Sequence, residues 1–365
     1  MFFLMGGAEL ILSLAAVRPE TAVSKFFTEQ MTHAEWHGLT FYDLILPLFL
    51  YVAGLSFPYS LHRRRKEGMS DQEITRKVFV RCILLILLGI LYNVFRLGFT
   101  GHIADVRFVS VLGRLGAAFL IAARIYLHFG WQRALKTAVA ITLLYRLAGG
   151  VLPALFGVAD PYSIGSSPVL QVDRLITPGR LYAGTYDPEG IVATIPSVAT
   201  VLAGMLSSSY LAPPEEHPAS SCADDPGASK YLTRLKRFLL AAAVLLISGS
   251  IWSLRCPVNK TLWTGSFVCI TAALSMFFFA VFYYLIDVRQ HTRCTLFFIV
   301  IGMNSVTVYL LQVIVKLRWK IAPFVYRVAW RATPEGREVL VWCAYIAIWW
   351  LFLYFLYRRK IFLKV

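Results

Sequence analysis

The stretch THAEWHGLTFYDLILPLFLYVAGLSF, residues 32–57, sets two histidines, a glutamate and an aspartate at the mouth of a long apolar run. Histidine titrates near neutrality, so it can take and return a proton during group transfer. It can also carry an acyl group covalently. A lone loop histidine is more commonly just solvated, and on spacing alone that reading covers His37, His62, His102, His128, His217, His291 and also His33. Asp43 falls about one turn into the apolar run, and helical spacing puts Asp43, Pro47 and Tyr51 on one stripe. An aspartate costs roughly 2.5–3.5 kcal/mol at the centre of a membrane helix and less near its end. It is therefore expected to face a bundle interior or a wet cavity. The competing reading is a helix cap, shared with Thr40.

Three further stretches could line a pocket with this one. GRLYAGTYDPEG carries Arg180 and Asp187, CPVNKTLWTGS carries Asn259, Lys260 and Trp263, and GMNSVTVYLLQ carries Asn304. With Trp36 they offer carboxylate, amide and indole groups with few charges, the make-up of a sugar site. The plainer reading is a set of caps and headgroup-level anchors, with Asn304 a mid-helix amide that glues helices together.

The elements that must position these residues are membrane helices. The chain has 365 residues, of which 58% are hydrophobic and only 15% charged, against about a quarter charged in soluble domains. A spanning helix needs about 20 apolar residues. About ten such runs occur, at 1–17, 41–61, 78–98, 109–128, 133–155, 190–208, 235–253, 264–286, 294–315 and 339–357. The expected fold is all-α, a polytopic membrane helix bundle of about ten transmembrane helices.

The net charge of +16 does not point to nucleic acid, because the basic residues cluster in short loops between apolar runs. Lys and Arg mark cytoplasmic loops. HRRRKEGMSDQEITRK, HFGWQRALK, SKYLTRLKR, DVRQHTR and the tail YRRKIFLKV then lie inside, with both termini cytoplasmic. Segment 316–338 is basic yet falls outside; its apolar and basic alternation suits an interfacial helix. The six cysteines form neither a disulfide framework nor a metal-ligand spacing. Segment 209–233, rich in Pro, Ser and acids, reads as a flexible cytoplasmic linker. It divides an N-terminal bundle, 1–208, from a C-terminal bundle, 234–365. No internal repeat is evident. The first run is short, begins at Met1 without a basic flank and does not make a good signal peptide; the native chain is expected to start upstream.

The opening stretch also resembles the signature of the heparan-α-glucosaminide N-acetyltransferase family and its bacterial relatives. That signature runs H-x-x-W-x-G-L-T-x-x-D-L-x-x-P-x-F-x-x-x-x-G-x-S. It is met by His33, Trp36, Gly38, Leu39, Thr40, Asp43, Leu44, Pro47, Phe49, Gly54 and Ser56. GRLYAGTYDPEGIVATIPSVATVLAGM, PVNKTLWTGSFV and GMNSVTVYLL resemble later blocks of the family in the same order, so the likeness covers most of the chain. Two departures stand out. The usual L-D-x-x-R-G-x-D-M segment of the first helix ends at about the residue where this chain begins. In VLGRLG, Gly113 replaces a glutamine of the family block while Arg114 is kept.

The resemblance implies acetyl transfer across a membrane, from acetyl-CoA on the cytoplasmic side to a terminal glucosamine on the other, in a bacterial inner membrane. It puts the active-site histidine at His33; a neighbouring carboxylate can orient such a ring and stabilise its cation, and Asp43 is the catalytic candidate for that part. Arg63, Arg64 and Arg114 are the expected contacts to acetyl-CoA; positive-inside orientation explains the first two equally well. Trp36, Arg180, Asp187, Asn259, Lys260, Trp263 and Asn304 are pocket candidates. The expected partners are the lipid bilayer, acetyl-CoA and an amino-sugar acceptor, with a homodimer left open. The rival readings are a transporter of amino sugars or cell-wall fragments and a membrane scaffold without catalysis.

Overall fold

A computed structural model describes residues 1–98, 102, 105–211, 226–292 and 295–363, with side chains described outside 226–230. Residues 212–225 of the expected linker, with His217 and Cys222, lie outside the described residues, as does Cys294. The described residues are helical; beside the helices there is one isolated antiparallel bridge, between Arg107 and Gly179. The helices are α1 (Gly7–Ala16), α2 (Ala22–Gln30), α3 (Ile45–Lys66), α4 (Asp71–Leu97), α5 (Val111–Arg146), α6 (Leu152–Leu155) and α7 (Pro168–Ile176). There follow α8 (Ile191–Ser207), α9 (Pro226–Ser253), α10 (Gly265–Tyr283), α11 (Thr295–Met303), α12 (Ser305–Val315), α13 (Leu317–Val328) and α14 (Pro334–Arg358).

Among the described residues, six helical stretches are long and apolar enough to cross a membrane, or seven if the α11–α12 pair is one broken span. Every one of the ten apolar runs lies on a helix. The lower number has identifiable causes. Helix α1 has 10 residues and α8 has 17, the latter at the lower bound of the about 17–25 that a crossing takes. The runs at 109–128 and 133–155 fall on one helical stretch of 45 residues, Val111–Leu155. At 1.5 Å per residue that is roughly 67 Å, twice a bilayer core of about 30 Å. It is not one straight rod: Gly130 leaves helical geometry, with φ 70° and ψ −179°, a conformation open to glycine.

The chain forms two compact units. The first comprises 1–34, 40–45 and 291–365. In it α14 packs on α1 and α13, around a core that includes Met5, Val300, Val308, Tyr345, Trp349 and Leu353. The second comprises 35–39 and 46–290. Its helix α5 packs on α8 and α4, and α9 packs on α10. One apolar cluster there includes Leu50, Phe57, Phe119, Leu202 and Phe267, and a second includes Tyr51, Phe238, Met276 and Tyr283.

Local sequence explains the ends of these helices. Ser70 and Glu73 form a reciprocal capping box at the start of α4, and Ser110 caps α5 through its hydroxyl. These pairings satisfy N–H groups that a helix start leaves open. Arg63, Arg64, Arg65 and Lys66 fill the last turn of α3, where the helix dipole favours cations.

Candidate functional site

Immediately before α3, residues Phe41–Leu44 make a 3-10 turn rather than the α-helical turn expected from sequence. Thr40 and Asp43 form its capping box. Asp43 Oδ2 accepts from the backbone N–H groups of Ala34 at 3.1 Å and Thr40 at 3.3 Å, and from the Thr40 hydroxyl at 3.0 Å. Its other oxygen, Oδ1, lies 2.7 Å from His33 Nδ1. The two oxygens of Asp43 therefore serve different partners, Oδ2 the turn and Oδ1 the imidazole. Asp43 is buried while the His33 side chain is 55% exposed. The imidazole also leans on the Tyr42 ring, with centroids 4.7 Å apart. The Thr40 hydroxyl donates to Thr32 O at 2.6 Å and Phe41 N–H to Gln30 Oε1 at 3.0 Å, tying the turn to the end of α2. Such a dyad fixes the tautomer: with Nδ1–H toward the carboxylate, Nε2 is the basic nitrogen.

In the same unit Asn304 is not mid-helix as expected. It stands at the break between α11 and α12, which bend by 69°. Its side chain is 2% exposed; Nδ2 donates to Ile361 O at 3.3 Å, and Oδ1 has no hydrogen-bond partner among the described residues.

The second unit gathers most of the pocket candidates. Asn259 is fully buried. Its Nδ2 donates to Trp36 O at 2.8 Å, and its Oδ1 accepts from Leu262 N–H at 2.8 Å. Gly38 N–H donates to Val258 O at 2.8 Å, so the 35–39 strip is sewn to the 257–264 loop. That loop leads into α10, so Asn259, Lys260 and Trp263 stand just before the helix. Trp36 Nε1 donates to Tyr162 O at 2.8 Å. Trp263 is fully buried with φ 50°, a left-handed conformation unusual for a bulky residue. It is held by Nε1 donating to Thr200 Oγ1 at 3.2 Å, by the Phe267 edge and by the Arg114 guanidinium 4.9 Å above the ring. Lys260 is half-buried.

Asp187 pairs with Arg107, not with Arg180. Arg107 Nε lies 2.6 Å from Asp187 Oδ2, its Nη2 reaches Asp187 Oδ1 and Glu189, and Tyr182 lies under it at 5.0 Å. These two carboxylates raise the Arg107 pKa against the desolvation that opposes it. The Arg180 side chain is exposed. Arg114, one turn into α5, is 3% exposed, and its Nη2 donates to Gly190 O at 3.2 Å. Asp173 of α7 flanks the same glycine and accepts from Val192 N–H at 2.8 Å. Burial pushes the Asp173 carboxyl up from the ordinary carboxylate range. Arg107, Asp173 and Glu189 were missed by sequence reasoning; nothing local marks them, because Arg107 meets its partners 80 and 82 residues away.

At the other end of α3 a cleft of about 760 Å³ is lined by Tyr59, His62, Arg63, Arg64, Lys66 and Lys77, among others. Arg63 and Arg64 both line it, with His62, Lys66 and Lys77 beside them and the Glu67 carboxylate 3.0 Å from Arg63 Nε. Arg114 is not part of this lining. Among the described residues no His, Cys, Asp and Glu group could hold a metal ion.

No family model matches the chain. A curated protein from Homo sapiens, heparan-alpha-glucosaminide N-acetyltransferase, is 27% identical over 394 residues, 91% of this chain and 55% of that protein. The Mus musculus protein of the same name is 24% identical over 392 residues, 91% of this chain and 56% of its own length. The chain is similar to these two heparan-alpha-glucosaminide N-acetyltransferases. It spans about half the length of each, and the stretches that carry the resemblance, around His33, Asp187, Asn259 and Asn304, fall within its described residues.

Proposed function

We propose that the chain is a membrane-embedded acyltransferase that moves an acetyl group from cytoplasmic acetyl-CoA to the amino group of a glucosamine-type sugar on the opposite side of a bacterial inner membrane. The observation that carries this reading is the dyad of His33 Nδ1 and the buried Asp43 carboxylate at 2.7 Å. A neutral imidazole held this way is a base poised to take a proton from an attacking amine, while the carboxylate steadies the cation that forms. In the step itself the amine nitrogen bonds to the acetyl carbon and the carbon–sulfur bond of the thioester breaks. The amine proton passes to Nε2 and then to the departing thiolate. A variant route bonds the acetyl group to Nε2 first, and mass analysis of acid-quenched protein distinguishes the two.

The donor end of the reading rests on the basic cleft. Four fixed cations, Arg63, Arg64, Lys66 and Lys77, line it beside His62, a donor set suited to the phosphates of a nucleotide. The thin pantetheine arm would enter the bundle while the charged nucleotide stays at the basic face. Trp36, Asn259, Lys260, Trp263, Arg180 and Asp187 then belong to the acceptor side, and Arg114 with them rather than with acetyl-CoA, since it contacts Trp263 and Gly190. The topology of this reading has ten crossings with both termini cytoplasmic, in bundles of 1–208 and 234–365.

The decisive experiment is acetyl transfer from acetyl-CoA to glucosamine by the purified full chain and by His33→Ala. The variant is expected to lose at least about 100-fold in kcat, the lower range for a general acid–base group. A folded His33→Ala protein with undiminished transfer would end the proposal. A second reading, transport of amino sugars or cell-wall fragments, draws on one observation: the α11–α12 span is broken at a buried asparagine, as transporter sites built on discontinuous helices are. Uptake of labelled glucosamine into proteoliposomes without acetyl-CoA would favour it.

A further inference from the structure

A second cavity, of about 610 Å³, lies within the second unit, far larger than a packing defect and within the size range of ligand sites. Its walls come from the second half of α5 and from α8, α9 and α10. Alanines make it: Ala138, Ala199, Ala203, Ala241 and Ala272 stand where larger side chains would close the space. Leu240 and Val244 on its α9 wall are 66% and 59% exposed, so the groove opens outward.

The aliphatic hydroxyls in the lining are already engaged. The Thr142 hydroxyl donates to Ala138 O and the Ser207 hydroxyl to Gly204 O, within their own helices. The remaining polar groups are those of Tyr210, Cys269, Trp252 and Arg237, and a single fixed charge stands at one end. Arg237 is the one charged residue of the lining, it is exposed, and it makes no ion pair among the described residues. Along α9 the lining residues Arg237, Leu240, Ala241, Val244, Leu245 and Trp252 form a single stripe. From Arg237 to Trp252 it is 15 residues long, about 22 Å at helical rise.

We propose that this groove binds one acyl chain of an anionic membrane lipid, with the headgroup phosphate at Arg237 and the chain running toward Trp252. An apolar slot with one cation at its end complements an amphiphile with one anionic end. At about two-thirds of a bilayer core, the groove is longer than the single leaflet that one acyl chain occupies, so a chain fits along it. Spread over this length, about 610 Å³ leaves a section of about 28 Å², too narrow for a helix from a second copy, about 10 Å across. Residues 212–225 do not suit it either: they carry four carboxylates and no large apolar side chain. The inference needs the chain to sit in a membrane and does not depend on the acetyl-transfer reading.

Native mass spectrometry of the full chain tests it, after delipidation and titration with dioleoyl phosphatidylglycerol or dioleoyl phosphatidylcholine. One tightly retained phosphatidylglycerol per chain is expected. Ala241→Trp, which fills the slot, should reduce its retention at least tenfold, and Arg237→Gln should abolish the preference over phosphatidylcholine. Size-exclusion profile and circular dichroism establish that each variant is folded. Undiminished retention in a folded Ala241→Trp protein would mean nonspecific annular lipid and overturn the proposal. An unchanged lipid preference in Arg237→Gln would overturn the headgroup assignment. A dimer without lipid that Ala241→Trp splits into monomers would show that a second copy fills the groove instead.

Discussion

Asp43 works on two fronts, and its two oxygens divide the labour. Oδ2 closes the turn that starts α3, and Oδ1 holds His33. Asp43→Asn keeps an acceptor for the turn but loses the negative charge, and it presents an N–H or a neutral oxygen to Nδ1. The cost in stability is expected to be that of a weakened cap, about 0.5–2 kcal/mol. The cost in kcat is expected to be larger, about 100-fold or more, with KM for acetyl-CoA and glucosamine little changed. Steady-state kinetics on the folded fraction checks this; a residue that only capped the turn would leave kcat intact. The sequence made the His33 and Asp43 pairing legible through residue type and family pattern, since the two lie only ten positions apart. Asp187 was the opposite case. Sequence put it in one stretch with Arg180 and named no partner; the side chain that reaches it is Arg107, whose backbone bridges to Gly179. Pairing between distant loops leaves no local periodicity or spacing to read.

Helix α3 follows the Asp43 turn and packs on α8 through glycine. A Cβ on Gly54 would come 2.1 Å from Val201 O, and one on Gly204 would come 2.1 Å from Tyr51 O. The two backbones touch reciprocally, as small residues permit in membrane helices. Gly54→Ala must push the helices apart, and a loss of about 1–3 kcal/mol is expected, the range for overpacking. A lower unfolding midpoint in detergent would show it. Gly302 is the control: it lies in α11 with open space around its Cα and ordinary backbone angles. Gly302→Ala should be neutral or stabilising by up to about 1 kcal/mol. At this scale the apolar runs foretold the helices well, because burial and lipid both demand long apolar stretches. They did not foretell the breaks. Asn304 sits in an unbroken apolar sequence, which marks a span but not the residue where coiling stops.

Orientation is a property of the whole chain, and it turns on Gly130. If residues 111–155 were one crossing, His128, Arg133 and Lys136 would lie near its middle. Ionisable residues there are costly, several kcal/mol in sum even on the most lenient scales. The helix leaves α geometry at Gly130, between His128 and Arg133, so the chain is expected to cross, surface at that basic turn, and cross again. The count fixes everything downstream. With two crossings, the Asn259 loop and the Asp187 loop share a side and the basic residues of 62–77 face the other. With one crossing, both loops move to the side of the basic cleft, and donor phosphates and acceptor pocket would no longer be separated by the membrane. Single cysteines placed at Gly68, Gly130, Gly184 and the exposed Arg255, which leads into the Asn259 loop, in a background without other cysteines decide between these. A membrane-impermeant maleimide applied to intact cells is expected to label positions 184 and 255 and to spare 68 and 130 until the membrane is opened. Labelling of 68 and 255 alike would place the cleft and the acceptor residues on one face and defeat transfer across the bilayer, whatever His33 does.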